Sequence, residues 1–243
     1  MSGENFSRDH IVQTMFDRIA ERYDLLNRVI SFRLDRRWRH RVIDAALAGS
    51  FSQVLDLGTG TGDLIFEAAE KARGKGRFVG LDFSSAMIRL ARAKRSGSSL
   101  RANAEFVLGS AMTAPFQSNV FDSAMTGFVL RNVSDLSLFF AEAHRVLKPG
   151  GRFVSLDMFP PPATWFSAFY SVYFHCLMPR IGGLLARDRQ AYRYLSDSVR
   201  SFHPPERVAE LIRQTGFEQV TVQKFLCGAV CMHTARKPAS AQV

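Results

Sequence analysis

Val54 to Asp63 reads VLDLGTGTGD: a short apolar run, an acid, and then three glycines alternating with threonines. A strand that ends in such a turn and feeds a helix presents bare backbone N–H groups at its carboxyl end, where an open α/β sheet receives a nucleotide-like ligand. The glycine spacing narrows the choice of ligand. Gly58, Gly60 and Gly62 give G-x-G-x-G, whereas the turn that cradles a pyrophosphate is G-x-G-x-x-G. Asp56 stands just ahead of the first glycine and Asp63 just after the last. Carboxylates there repel a diphosphate and attract an ammonium group, so the expected ligand is cationic.

S-adenosylmethionine has that character, with an ammonium, a sulfonium and no phosphate. The surroundings support a nucleoside. After the loop come a helical pattern from Leu64 to Lys71, a turn from Arg73 to Gly76, a second apolar strand from Phe78 to Leu81, and then Asp82, twenty residues past Gly62. An acid at the tip of the second strand is placed to accept both hydroxyls of a ribose. Met87, in the helix that follows, is a candidate for contact with the adenine and equally a core residue.

The chain has 243 residues, 47% of them hydrophobic and 12% aromatic, enough for one well-buried α/β domain and too few for two large ones. A net charge of +10 and a pI near 10.1 imply attraction to something anionic, a membrane surface or a nucleic acid. Three cysteines, Cys176, Cys227 and Cys231, are an odd number without C-x-x-C spacing, which argues against a disulfide framework and a zinc site. The six histidines are scattered, and no metal is expected. No signal pattern opens the chain, and no apolar run reaches the roughly eighteen residues of a spanning helix. The expectation is a protein of the reducing cytoplasm, soluble or peripheral at the inner face of the cytoplasmic membrane.

Ahead of the first strand, residues 8 to 48 read as helices, with Ile11, Met15, Ile19, Tyr23 and Leu26 at helical spacing. Between Arg28 and Arg41 six arginines (Arg28, Arg33, Arg36, Arg37, Arg39 and Arg41) stand against one acid, Asp35. They are either a solvated helix face or a patch for anionic lipid headgroups or RNA phosphates. From Val54 onward strand and helix alternate. Ser84 caps a helix through Lys94, strand three is Glu105 to Leu108, strand four Phe121 to Phe128, and a helix from Leu136 to Leu147 stops at Lys148-Pro149-Gly150-Gly151. Strand five is Arg152 to Asp157.

Between Pro160 and Phe202 the alternation breaks for the aromatic segment TWFSAFYSVYFHCLMP and a polar helical stretch, read as a core helix or, preferably, as a lid over the crevice. A helix (Pro205 to Thr215) and two strands (Gln219 to Phe225, Gly228 to Ala235) close the chain as a hairpin. The fold expected is a Rossmann-like, seven-stranded, doubly wound sheet with one antiparallel edge strand. It forms a single domain over 1–243, with a helical cap over 1–50 and a helical insertion over 160–203.

Five further stretches run the length of the chain: FDRIAERYDLLNRVISFRLDRRWR (Phe16 to Arg39), LDLGTGTGDL (55 to 64), LRNVSD (130 to 135), RVLKPGG (145 to 151) and YRYLSDSVRSF (192 to 202). Through them the sequence resembles the class I, S-adenosylmethionine-dependent C-methyltransferases of menaquinone and ubiquinone biosynthesis. The glycine loop is common to many methyltransferases, and the YD-x-x-N, LRNV-x-D and YRYL elements are more specific. The resemblance places cofactor contacts on Thr61, on Asp82, and on Ser110 and Ala111 after strand three, and it brings in Gly127, where the family often carries serine. Other departures are Asp35 for histidine, Asp157 for glutamate, Phe159 for serine, and Ser110 for the more frequent Asp or Asn.

The resemblance implies carbon methylation of a reduced, lipid-like polyprenyl quinol at an anionic membrane, without nucleic acid, and with a homodimer left open. A quinol ring carbon is a good nucleophile as the phenolate, and with a pKa near ~10 its ionisation at pH 7 costs about 4 kcal/mol. A cation in hydrogen-bond range lowers such a pKa by roughly 1 to 3 units. Arg131, just past strand four, is expected to stabilise the phenolate. Arginine stays protonated, so the proton is expected to leave through water or a carboxylate such as Asp24. Tyr23, Asn27 and Tyr194 are candidates for contacting the quinol oxygens, and each tyrosine is nearly as good a core residue. Two other readings stay open: methylation of a different phenolic small molecule, and an RNA-binding protein on the same fold.

Overall fold

The structure, a computed structural model, describes residues 3–31, 34–96, 101–160 and 189–239. Two helices, α1 (Gly3–Ile30) and α2 (Leu34–Ala46), precede β1 (Gln53–Leu57). Then α3 (Asp63–Lys71), β2 (Arg77–Asp82), α4 (Ser85–Arg95), β3 (Ala104–Leu108), β4 (Phe121–Gly127), α5 (Leu136–Val146) and β5 (Leu147–Met158) alternate. After the aromatic segment, residues 161–188 of which lie outside the described residues, come α6 (Arg189–Arg200), α7 (Pro205–Gln214), β6 (Glu218–Phe225) and β7 (Val230–Arg236).

The seven strands form one sheet in the order β3-β2-β1-β4-β5-β7-β6. Strands β1 to β5 pair in parallel, and β7 runs antiparallel to β5 and β6. The expected antiparallel strand is therefore present; the closing hairpin folds back so that β7 lies inside and β6 outermost. Alternate residues of each strand feed opposite layers, as the two-residue period of a strand requires. Leu55, Leu57 and Leu81 pack with Phe139, Phe140 and Val146 of α5 and Ile212 of α7. Val54 and Phe78 pack on the other face with Trp38 and Ile43 of α2, Ile65 and Phe66 of α3, and Ile88 of α4.

Helix ends follow local chemistry. Ser84 and Asp135 cap α4 and α5 by accepting the N–H groups of Met87 (3.1 Å) and Leu138 (2.9 Å). Pairing of β5 begins earlier than expected, at Leu147 opposite Phe121, then skips to Arg152 opposite Ser123, so Lys148–Gly151 bulges between them. On α1, Met15 is buried while Ile11 is 62% exposed, so the apolar stripe is narrower than its spacing promised. The sheet reverses its strand order at β1, and the crevice opens there, at the carboxyl ends of β1, β2 and β4.

Candidate active site

The glycine loop is folded against the tip of β2. The N–H groups of Gly58 and Thr59 both donate to the Leu81 carbonyl, at 2.8 and 2.9 Å, and the Gly60 N–H donates to Asp82 Oδ2 at 2.7 Å. Gly58 has φ +75°, and a Cβ there would stand 2.5 Å from Val129 Cγ2. Both its conformation and its neighbour demand glycine. Asp82 Oδ1 accepts the Ser84 N–H at 2.9 Å. Asp56 lies beneath the loop, 1% exposed, where Oδ2 accepts the Thr59 hydroxyl at 2.7 Å while Oδ1 has no partner. Burial pushes Asp56 up to about 7, against the Thr59 hydrogen bond, and pushes Asp82 up to about 6, against the hydrogen bonds from Ser84 and Gly60. A cationic ligand is what such carboxylates lack.

Beside the loop is a cavity of about 340 Å³. Of the residues expected at the site, Gly58, Gly60, Asp82, Met87, Ser110, Ala111 and Tyr23 line it. Among the described residues no lysine or arginine does, so a phosphate would meet the Asp82 carboxylate and no fixed positive charge. S-adenosylmethionine fits this lining: an acid at the strand tip, the side-chain-free Gly58 and Gly60 of the loop, and an apolar wall of Leu81, Phe83, Met87 and Met112.

Asp56, Thr61, Gly62 and Gly127 are near the cavity but do not line it. Gly62 is needed for packing, since a Cβ there would approach Phe66 at 2.8 Å and Phe106 at 3.0 Å. Gly127 has room, with Leu64 at 3.5 Å the nearest contact of an added Cβ. Thr61 faces α1: its hydroxyl donates to Asp24 Oδ1 at 2.5 Å and accepts from Lys94 Nζ at 2.9 Å. Lys94 also pairs with Asp24 and, at 2.9 Å, with Asp63. Asp24 is therefore engaged by a hydroxyl and an ammonium and does not line the cavity. The side chain of Asn27 lies outside the described residues.

Sequence reasoning missed what α1 contributes. His10, Gln13 and Phe16 line the cavity together with Tyr23. Gln13 Nε2 donates to the Phe83 carbonyl at 2.7 Å, and Asp17 Oδ1 accepts the Ser84 hydroxyl at 2.5 Å and the Ala86 N–H at 3.3 Å. The spacing of Gln13, Phe16 and Tyr23 was the only available signal, and it does not say which face meets the sheet. Phe83, Phe128, Val129 and Asn132 were missed too, although they flank predicted positions.

On the β4 side Arg131 is 8% exposed. Its Nη1 donates to Asp157 Oδ1 at 2.5 Å, and its backbone N–H donates to Oδ2 at 3.3 Å. Burial opposes its charge, but Asp157 and the nearby Tyr23 and Tyr194 hydroxyls hold its pKa above the ordinary value. Its Nε has no partner. Tyr194, from α6, donates its hydroxyl to Asn132 Oδ1 at 3.1 Å, so it touches the cavity wall through Asn132. The departure at Phe159 falls in the core: the residue is fully buried against Phe202, with ring centroids 5.2 Å apart.

The basic run of α2 is partly internal. Arg39 is 14% exposed and pairs with Asp35 (3.1 Å) and Glu67 (3.2 Å), while Arg36, Arg37 and Arg41 are exposed and Arg28 and Arg33 fall outside the described side chains. No helix among the described residues is long and apolar enough to cross a membrane.

A doubly wound sheet of this order, with a phosphate-free nucleoside crevice at its reversal point, has the architecture of a Rossmann-like methyltransferase. Solved structures agree on the fold. A methyltransferase of Thermotoga maritima, described as S-adenosylmethionine-dependent and a possible histamine N-methyltransferase, matches with a TM-score of 0.60 at 19% identity, over 93% of this chain and 99% of that one. The [4+2]-cyclase SpnF matches at 0.69 and 17% identity, over 94% and 96%. The model of the ubiE/COQ5 methyltransferase family matches residues 4–237. The demethylmenaquinone methyltransferase of Thermus thermophilus is 40% identical over 92% of this chain and all of its own, and that of Deinococcus radiodurans 44% over 88% of each. A ubiquinone/menaquinone biosynthesis C-methyltransferase of Desulfotalea psychrophila is 40% identical, over 91% of this chain and 88% of its own. The chain belongs to the ubiE/COQ5 methyltransferase family, and it is an S-adenosylmethionine-dependent enzyme.

Proposed function

We propose that this enzyme methylates a ring carbon of a reduced polyprenyl quinone precursor, demethylmenaquinol in preference to a methoxy-benzoquinol, in respiratory quinone biosynthesis. The observation that carries the reading is Arg131, a buried cation that does not itself line the cavity but whose Cζ lies 5.9 Å from the ring of the lining residue Phe128, with Tyr23 and Tyr194 near it. The names of the relatives above support the choice of quinol.

Bound S-adenosylmethionine supplies an electrophilic methyl group. Asp82 would hold its ribose, the Gly58–Gly60 loop its amino-acid end with Asp56 beneath it lending negative charge, and Ser110 and Ala111 its base. Thr61 and Gly62 shape the loop from behind. Arg131 stabilises the phenolate, recovering part of the roughly 4 kcal/mol its formation costs at pH 7. The Asp157 clamp holds the guanidinium in place without discharging it, because arginine does not deprotonate. The phenolic proton leaves to water at the crevice mouth, since Lys94 and Thr61 already occupy Asp24. Tyr23 would order the quinol oxygens directly, and Tyr194 through the lining residue Asn132. The apolar wall of Leu81, Phe83, Met87 and Met112 excludes water, which favours a step in which opposite charges neutralise. The exposed Arg36, Arg37 and Arg41 of α2 would rest on anionic headgroups, each contributing about 1 kcal/mol.

Labelled S-adenosylmethionine offered with demethylmenaquinol and with a methoxy-benzoquinol tests the reading. Label is expected on the naphthoquinol ring; label on neither ring would refute it.

A further inference from the structure

We propose that Phe128 is the platform on which the acceptor ring is seated, held in a left-handed backbone conformation that costs the fold stability and serves the site. The proposal rests on the quinol reading above.

Phe128 has φ +63°. A bulky residue there is an outlier, because its Cβ crowds the backbone. Among the described residues, Arg73, Asn119, Gln219, Leu226 and Cys227 are also left-handed without being glycine, but of these six only Phe128 lines the cavity. The preceding residue is Gly127, which would adopt this conformation freely and is not itself left-handed. The chain thus has a glycine next door and places the turn on the phenylalanine instead.

Such a conformation persists only where the surroundings over-determine it. The Phe128 N–H donates to the Leu156 carbonyl at 2.7 Å, the last tie to the sheet, in which Gly127 is paired with Leu156. Its carbonyl accepts from Asn132 Nδ2 at 3.3 Å, and Asn132 Oδ1 accepts the Tyr194 hydroxyl at 3.1 Å. Helix α6 therefore clamps the turn from outside.

The turn takes the chain out of the strand just where the crevice begins. There the ring lines the cavity and faces the Arg131 guanidinium, whose Cζ is 5.9 Å from the ring centroid. A flat apolar face beside a buried cation matches a phenolate ring, which offers a π-face to stack and an oxygen to pair. Offset stacking of the acceptor on Phe128 turns its oxygen toward Arg131.

The test compares Phe128→Ala, Phe128→Gly and Phe128→Tyr by melting temperature, by S-adenosylmethionine affinity in calorimetry, and by quinol kinetics. Ala and Gly are each expected to lower kcat/KM for the quinol about tenfold, with S-adenosylmethionine affinity kept within about twofold, and Tyr to recover most of that loss. Gly, free of the crowding that Ala retains, is expected to melt about 2–4 °C above Ala. A wild-type enzyme that methylates quinol, and an Ala variant that does so equally well, would overturn the platform alone. A Gly variant melting no higher than Ala would overturn the strain. A wild-type enzyme that methylates no quinol would overturn the acceptor reading and the platform with it.

Discussion

The crevice has two walls at the same end of one sheet, and they are charged on opposite plans. On the β2 side, Asp56 and Asp82 are buried beside backbone and hydroxyl donors with no cation among the described residues against them, and both are pushed up, to about 7 and about 6. On the β4 and β5 side, the buried Arg131 is already paired with Asp157. The first wall holds an unmet demand for positive charge, which suits a cation that arrives and departs each turnover. The second is neutral overall and lends only the polarity of its guanidinium edge, which suits an acceptor whose charge exists briefly. One wall should therefore govern affinity for the methyl donor, and the other the rate.

The sharpest test of that division is Arg131→Met. Loss of about 100-fold in kcat is expected with the KM for S-adenosylmethionine unchanged, because the phenolate loses its cation. Equal losses in both constants would merge the two walls. The variant also strands the buried Asp157 carboxylate, a change that typically costs about 3–5 kcal/mol. Arg131→Met combined with Asp157→Leu should recover the melting temperature and leave kcat low, separating the chemical role from the structural one.

Asp82→Ala is the mirror image. It removes a charged acceptor from the ribose, so affinity for S-adenosylmethionine measured by calorimetry should fall about 10- to 100-fold. Turnover at saturating donor should stay within a few-fold of wild type. A collapse of kcat at saturation would show that Asp82 does more than bind.

The pH dependence follows from the same carboxylates. Their folded pKa values are raised, so the stability they contribute to the ligand-free enzyme is complete below the ordinary carboxylate range near ~4 and is lost as pH rises through 6 to 7. A cationic ligand prefers them ionised, and its affinity should run the other way. It is expected to level off above about pH 7 and, below that, to weaken by about tenfold per pH unit for each of the two carboxylates that takes up its proton. Thermal melts and calorimetry across pH 5 to 8 check the opposed slopes, and parallel slopes would mean the carboxylates do not meet the cation. The smallest effect expected is for Lys94→Met, which loosens Asp24, Thr61 and Asp63 behind the loop and should raise the KM for S-adenosylmethionine only a few-fold.

The two walls were unequally legible in the sequence. Gly58, Gly60 and Asp82 announced themselves because a left-handed turn, a close backbone approach and an acid at a strand tip each demand a particular residue type. The strands around them were legible for the same reason, their apolar runs being bounded by turn residues. The role of α1 was not, since helical spacing gives a stripe without its partner, and Ile11, on that stripe, points to solvent. The partners of Asp24 were not legible, because a carboxylate's surroundings come from the fold, and Lys94 lies seventy residues away in sequence. The left-handed turn was invisible at Phe128, because nothing in the residue type asks for it. The departure at Phe159 gave no sign of its place, which burial against Phe202 puts in the core.

Helix α1 has one further consequence. Gln13 and Asp17 fasten it to the segment that follows β2, directly over the lining that His10, Gln13, Phe16 and Tyr23 supply. A nucleoside seated beside that lining would be held in part by a helix remote in sequence from the glycine loop, so release of the spent donor is expected to quicken when Gln13 or Asp17 loses its hydrogen bond.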